Sequence, residues 1–282
     1  MSDAKAWLDA EAPVRHAEID GAVRTWREAG SGSGVALVLL HGIGSNADSW
    51  VGQLAAFAPE RRVVAWNAPG YGGSTPLAPA APVAADYARA LFGLLDHLGI
   101  ARCVLVGQSL GAIMASAAAR IAPGRVAALV LASPATGYGV PAGGELPETI
   151  TRRIADIREL GPRGMADRRA MRLVTDAAST EVRAMVHGAM AAVTLDGYEA
   201  AVRMLAGSDL PGLLHDVTVP GLVVWGASDV VTPPAGCRRI AEAFTGAAHV
   251  EVPGLGHAFA TEDPEQFNAA IRPVLAAADK GN

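Results

Sequence analysis

The sequence predicts an α/β protein, a mainly parallel sheet with helices on both faces. Two observations carry this. Short apolar runs of strand length alternate with longer helix-like segments along most of the 282 residues. One of those runs, Arg102-Cys103-Val104-Leu105-Val106, leads through Gly107-Gln108-Ser109-Leu110-Gly111 into the small, apolar stretch Ala112 to Ile121. A glycine on either side of a serine between strand and helix marks a very sharp turn.

The chain opens differently. Val14 to Ile19, the turn Asp20-Gly21 and Ala22 to Glu28 read as a hairpin. Strands are then expected at 35–40, 62–66, 102–106, 126–131, 219–225 and 248–252, eight in all with the hairpin. Helices are expected near 47–57, 82–98, 109–121, 233–244 and 264–277. The interval 137–215 breaks the alternation and contains no strand-like run. It starts in the breaker-rich Gly137-Tyr138-Gly139-Val140-Pro141-Ala142-Gly143-Gly144 and ends near Pro211-Gly212. It reads as a helical cap inserted after the sixth strand, which divides the chain into a core of 1–136 and 216–282 and a cap of 137–215. Such caps exclude water and shape a pocket.

Composition narrows the function. A hydrophobic fraction of 51% with 18% charged residues fits a globular protein. A net charge of −5 leaves no footprint for nucleic acid. The amino terminus, Met1-Ser2-Asp3-Ala4-Lys5-Ala6-Trp7, has no apolar signal core, and no run is long enough to span a membrane. A cytoplasmic location is the default expectation. Cys103, in a strand, reads as a core thiol; it and the distant Cys237 form no framework, and no His/Cys cluster suggests a metal. The sequence assigns no oligomeric state.

Four features point to chemistry. Ser109 sits where a sharp turn would expose its hydroxyl at a helix N-terminus. A serine is a weak nucleophile and needs a base and an orienting acid. Asp229 follows the strand-like Gly221-Leu222-Val223-Val224-Trp225 and the loop Gly226-Ala227-Ser228, on the edge where α/β sheets keep their sites. His257 lies in Pro253-Gly254-Leu255-Gly256-His257, after the short strand His249 to Val252. The fourth is His41-Gly42-Ile43-Gly44, after Val35 to Leu40. Its loop can bring the N–H of Ile43 beside that of Leu110 as an oxyanion hole, with His41 itself structural.

The order Ser109, Asp229, His257 and these motifs resemble the α/β-hydrolase fold. The resemblance spans nearly the whole chain. It implies a mostly parallel eight-stranded sheet with an inserted helical cap, a Ser-His-Asp triad and no cofactor. Asn67-Ala68-Pro69-Gly70-Tyr71-Gly72-Gly73-Ser74 matches the family's turn after the fourth strand, with Asn67 where Asp usually stands; small consequences for the fold and little for catalysis are expected. Within the family, HGIGSNADSW, APGYGGS, GQSLG and the segment around Leu195-Asp196-Gly197-Tyr198 are most similar to 3-oxoadipate enol-lactonases and related small ester or lactone hydrolases. That implies a small-molecule substrate, such as a carboxylated enol-lactone. A C–C bond hydrolase of aromatic-ring cleavage products shares the triad and stays open. So do perhydrolase chemistry and a non-catalytic ligand-binding protein on the same scaffold. Relatives with an Asp nucleophile are disfavoured by Ser109.

The cap holds a basic stretch. Residues 152–172 contain seven arginines against Asp156, Glu159 and Asp167. Either one or two of them, with Arg152 and Arg168 as candidates, face inward and bind a substrate carboxylate, or they form a solvated face paired as Arg152–Asp156 and Glu159–Arg163.

Overall fold

In the computed structural model, which describes residues 2–281, one mixed sheet carries helices on both faces. An N-terminal helix α1 (Ser2–Glu11), not anticipated from the sequence, precedes the antiparallel hairpin β1 (Arg15–Ile19) and β2 (Ala22–Leu40). Helix α2 (Val51–Phe57), β3 (Arg61–Asn67), α3 (Ala84–His97), β4 (Cys103–Gln108), α4 (Leu110–Ile121) and β5 (Val126–Ala132) follow. After the insertion come β6 (Gly221–Gly226), α9 (Pro234–Ala243), β7 (Ala248–Val252), α10 (Phe259–Glu262) and α11 (Pro264–Lys280). The strands β2, β4, β5, β6 and β7 lie side by side in parallel.

The expected eight strands are seven, because the second and third form one 19-residue strand. Its two limbs flank β3. Along the first limb the partners run oppositely, from Thr25–Asn67 to Ala29–Val63; along the second they advance together, from Leu37–Val63 to Leu39–Ala65. The chain reverses between the limbs by passing over the start of β3. That crossing is only open to glycine. A Cβ on Gly30 (φ 80°) would lie 2.3 Å from the Arg61 carbonyl oxygen, and one on Gly32 would lie 2.1 Å from that of Glu60.

The central strands are buried on both faces, so their side chains alternate between two cores. Val38, Leu105, Leu129 and Val223 lie in one core with residues of α3, α4 and α9; Leu37, Val104, Val130 and Leu222 lie in the other with residues of α2 and α11. Burial of this kind stabilises by about 25 cal/mol per Å² of apolar surface. Cys103 and Cys237 are buried free thiols, each pushed up to about 12 chiefly by burial.

Between β5 and β6 the described residues form helices: α5 (Glu148–Arg169), α6 (Thr180–Ala191), α7 (Leu195–Gly207) and the short α8 (Leu210–Leu214). α5 is broken at Gly161 (φ 67°, ψ 177°), just before Pro162. Entry and exit of the insertion are tied together at Gly137 and Asp209, with Leu210 N–H donating to Thr136 O (2.8 Å) and Gly139 N–H to Ser208 O (2.8 Å). On the core side, Gly70 meets the start of α7. A Cβ on Gly197 would lie 2.1 Å from Gly70 O, which accepts from Thr194 Oγ1 at 2.9 Å. No helix among the described residues is long and apolar enough to cross a membrane.

Candidate active site

Ser109 stands between β4 and α4 with φ 54° and ψ −114°, a backbone region that L-residues avoid. The neighbouring glycines explain how the chain reaches it. A Cβ on Gly107 would lie 2.3 Å from Gly111 O, and one on Gly111 would lie 2.2 Å from Leu40 O. Ser109 is held by its N–H to Ala132 O (2.9 Å), and its carbonyl accepts from Ala135 N–H (3.2 Å). The strain, of about 1–3 kcal/mol for such a residue, is thus imposed by the surrounding strands.

Asp229 and His257 come from the loops after β6 and β7, parallel strands that carry them to the same end of the sheet as Ser109. Asp229 is 3% exposed and accepts four hydrogen bonds. Its Oδ1 accepts from the N–H groups of Val231 (2.7 Å) and Thr232 (2.9 Å), and its Oδ2 from Thr232 Oγ1 (2.8 Å) and His257 Nδ1 (2.8 Å). Burial pushes the Asp229 carboxyl up, but the His257 charge, its hydrogen bond and those from Thr232 outweigh it, and the net shift is down. The carboxylate therefore stays ionised and fixes His257 with its proton on Nδ1, leaving Nε2 as the basic nitrogen. Gln108 Nε2 donates to the His257 carbonyl (2.8 Å), and Ser228 N–H donates to Leu255 O (2.9 Å), which locks the two loops to each other and to β4.

Ser109 and His257 line one cavity of about 290 Å³, with Ile43 and Leu110 in its wall. Among the described residues no hydrogen bond joins Ser109 Oγ to His257, and none takes the N–H of Ile43 or Leu110. Gly42 leaves room for the serine, since a Cβ there would lie 3.0 Å from Ser109 Cβ. His41 is 1% exposed and positions this loop. Its Nδ1 donates to Gly42 O (2.8 Å) and its Nε2 accepts from Ala68 N–H (3.1 Å). Burial lowers it to about 4, so it is neutral at pH 7.

Asn67 has a use for its amide. Its Oδ1 accepts from Ala47 N–H (2.9 Å), while its Nδ2 donates to Thr25 Oγ1 (3.0 Å), whose own proton goes to Gly72 O (2.9 Å). An aspartate would keep the first bond and lack the second donor.

The arginine expectation is corrected. Arg152 and Arg168 do not line the cavity. Arg152 is exposed and paired with Glu148, and Arg168 is exposed and pairs with Asp156 at 2.6 Å. Neither expected pair, Arg152–Asp156 or Glu159–Arg163, is among the described ion pairs. Instead Arg153, Arg169 and Arg172 reach the cavity wall. The sequence held a clue. Ile150, Ile154 and Ile157 are buried and mark the inner face of α5, and Arg153 lies on that face, three residues from Ile150 and four from Ile157. Arg152 is turned about 100° away. Thr232, Gln108 and Glu262 were also missed. Glu262 accepts from the N–H groups of Gly256 (2.9 Å) and Thr175 (2.8 Å), tying the His257 loop to the insertion. Their signal is only their nearness in sequence to the triad motifs.

The family model of the alpha/beta hydrolase fold matches residues 35–264. The chain belongs to this family. It is 32% identical over 92% of its length to a dihydrolipoyllysine-residue acetyltransferase component of an acetoin cleaving system from Pseudomonas putida, of which it covers 68%. It is 27% identical over 85% of its length to 3-oxoadipate enol-lactonase 2 from Acinetobacter baylyi, covering 88% of that protein. A thermophilic esterase from Thermogutta terrifontis superposes with a TM-score of 0.84 at 26% identity, over 94% of this chain and 99% of the esterase. The chain is thus a hydrolase of the α/β fold, with esterase and lactonase relatives.

Proposed function

We propose that this chain is a serine hydrolase that cleaves a carboxylic ester or lactone through an acyl-enzyme on Ser109. The observation that carries the reading is the shared cavity. Ser109 on its strained turn and His257, bonded through Nδ1 to a buried, four-fold hydrogen-bonded Asp229, face the same 290 Å³ of space. The esterase and enol-lactonase among its relatives support the reaction class.

In this mechanism Ser109 Oγ attacks the substrate carbonyl carbon as its proton passes to His257 Nε2. Asp229 stabilises the imidazolium and keeps the ring oriented. The oxyanion receives hydrogen bonds from the N–H groups of Ile43 and Leu110; such a donor contributes about 2.7–4 kcal/mol to the transition state. His257 returns the proton to the leaving oxygen, and the C–O bond breaks. Water, deprotonated by His257, then attacks the acyl group and frees the acid and Ser109. Residues 137–215 act as a cap that keeps bulk water from the cavity.

Turnover of p-nitrophenyl acetate and butyrate, beside an enol-lactone, tests the reading. Ser109→Ala and Asp229→Asn should each remove most of the rate and leave the protein folded. Undiminished turnover in Ser109→Ala would overturn the mechanism.

A further inference from the structure

Ile43 must present its N–H to the developing oxyanion, and the peptide groups on either side of this residue are held by different side chains. The peptide that carries the N–H is tied through its carbonyl: Gly42 O accepts from His41 Nδ1 (2.8 Å) and from Ser45 N–H (3.2 Å). The next peptide is tied by Tyr71, whose hydroxyl donates to Ile43 O at 2.9 Å. Among the described residues that is the one hydrogen bond made to this carbonyl. Tyr71 is 1% exposed and does not line the cavity. Its ring packs edge-on against His41, with 4.9 Å between centroids, so it steadies the other anchor as well. Burial, with Tyr87 and Tyr198 nearby, raises the phenol well above its ordinary value, and it stays a donor at neutral pH.

Tyr71 is itself fixed. Its N–H donates to Ala68 O (2.9 Å), and its carbonyl accepts from Ser74 N–H (2.8 Å). Ala68 N–H reaches His41 Nε2, and Gly70 lies in backbone contact with Gly197 of α7. The turn thus stands between the inserted helices and the oxyanion loop. On the far side of Ile43, Gly44 meets Met190 of α6, where a Cβ would lie 2.8 Å from Met190 Cε. We infer that Tyr71 is a positioning residue for the oxyanion hole: its hydroxyl, bonded to Ile43 O, keeps the Ile43 N–H aimed at the oxyanion. Such a donor is most effective when it is aligned before charge develops, because then no reorganisation is needed during the reaction. Without the hydroxyl, Ile43 is held on one side only. Its N–H is still present but poorly aimed, so stabilisation is lost in the transition state and not in the ground state. Phenylalanine at this position keeps the ring against His41 and removes only the hydrogen bond. The inference deepens the serine-hydrolase reading and rests on it.

Tyr71→Phe tests the assignment. With p-nitrophenyl butyrate, kcat and kcat/KM should both fall about tenfold with KM unchanged, short of the loss of about a hundredfold or more that removing a whole donor brings. The second readout is inhibition by butyl trifluoromethyl ketone. Ser109 Oγ adds to its carbonyl carbon, the serine proton passes to His257, and the carbonyl oxygen becomes an oxyanion in the hole. The inhibition constant should rise by the same factor as kcat falls. Binding of p-nitrobutyranilide to Ser109→Ala protein, where no oxyanion forms, should be the same with and without Tyr71→Phe. A loss of stability alone moves neither of these two affinities, since each is read on folded protein. Wild-type kcat in Tyr71→Phe overturns the proposal, and so does an equal weakening of ketone and anilide. If the wild type neither turns over the ester nor binds the ketone at Ser109, the serine-hydrolase reading falls and takes the proposal with it.

Discussion

Replacing Ser109 by glycine should abolish activity and raise stability. Ser109 is held at φ 54°, ψ −114°, where a Cβ is strained by about 1–3 kcal/mol. Glycine releases that strain and loses about 0.5–1 kcal/mol through the greater entropy of the unfolded chain. The net gain is about 1 kcal/mol. Alanine is the matched control, because it keeps the Cβ and the strain. Its missing hydroxyl removes no hydrogen bond seen among the described residues. Equilibrium urea unfolding, followed by tryptophan fluorescence, should therefore rank Ser109→Gly above Ser109→Ala by about 1 kcal/mol, or a few degrees in Tm for a chain of this size. A glycine variant less stable than the alanine variant would refute the claim that the turn is strained at this residue.

Two further outcomes follow from the hydrogen bonds around the site. His41 is lowered to about 4 by burial, from 6.5 in the unfolded chain. Between these values the unfolded state binds the extra proton, so stability is full above pH 6.5 and falls as the pH drops toward 4. The loss approaches about 3 kcal/mol at its lower end. His41→Gln should flatten this part of the stability curve, and an unchanged slope would assign the proton elsewhere. Thr232→Val removes the hydroxyl that donates to Asp229 Oδ2. It should lower kcat about tenfold with little change in KM and shift the pH profile of kcat, whereas Thr232→Ser should restore both; full kcat in the valine variant would make Thr232 a bystander.

How much was legible follows from the length scale of each signal. The positions of Ser109, Asp229 and His257 are written in local turns, and the parallel strands bring them to one end of the sheet. The two limbs of β2 could be placed but not joined, because the crossing depends on Gly30 and Gly32 passing the start of β3, a contact between segments some thirty residues apart. The arginines were misassigned because charge density on a helix says nothing of its phase; only the buried Ile150, Ile154 and Ile157 set the phase of α5. Asn67 read as a passive replacement of an acid. Its donor role appears only once Thr25, the residue paired with it on the first limb of β2, is seen to accept from its amide. Thr232 carries no motif, and its importance lies in its two contacts to Asp229.

The central claim is a covalent acyl-enzyme on Ser109. Rapid acid quench during turnover of p-nitrophenyl acetate, followed by intact-mass measurement and peptide mapping, tests it directly. The account predicts one acetyl group per chain, carried by the peptide that contains Ser109, accumulating with the burst of p-nitrophenol and absent from Ser109→Ala. Turnover with an acetyl group on another residue, or sustained turnover by Ser109→Ala, would contradict it.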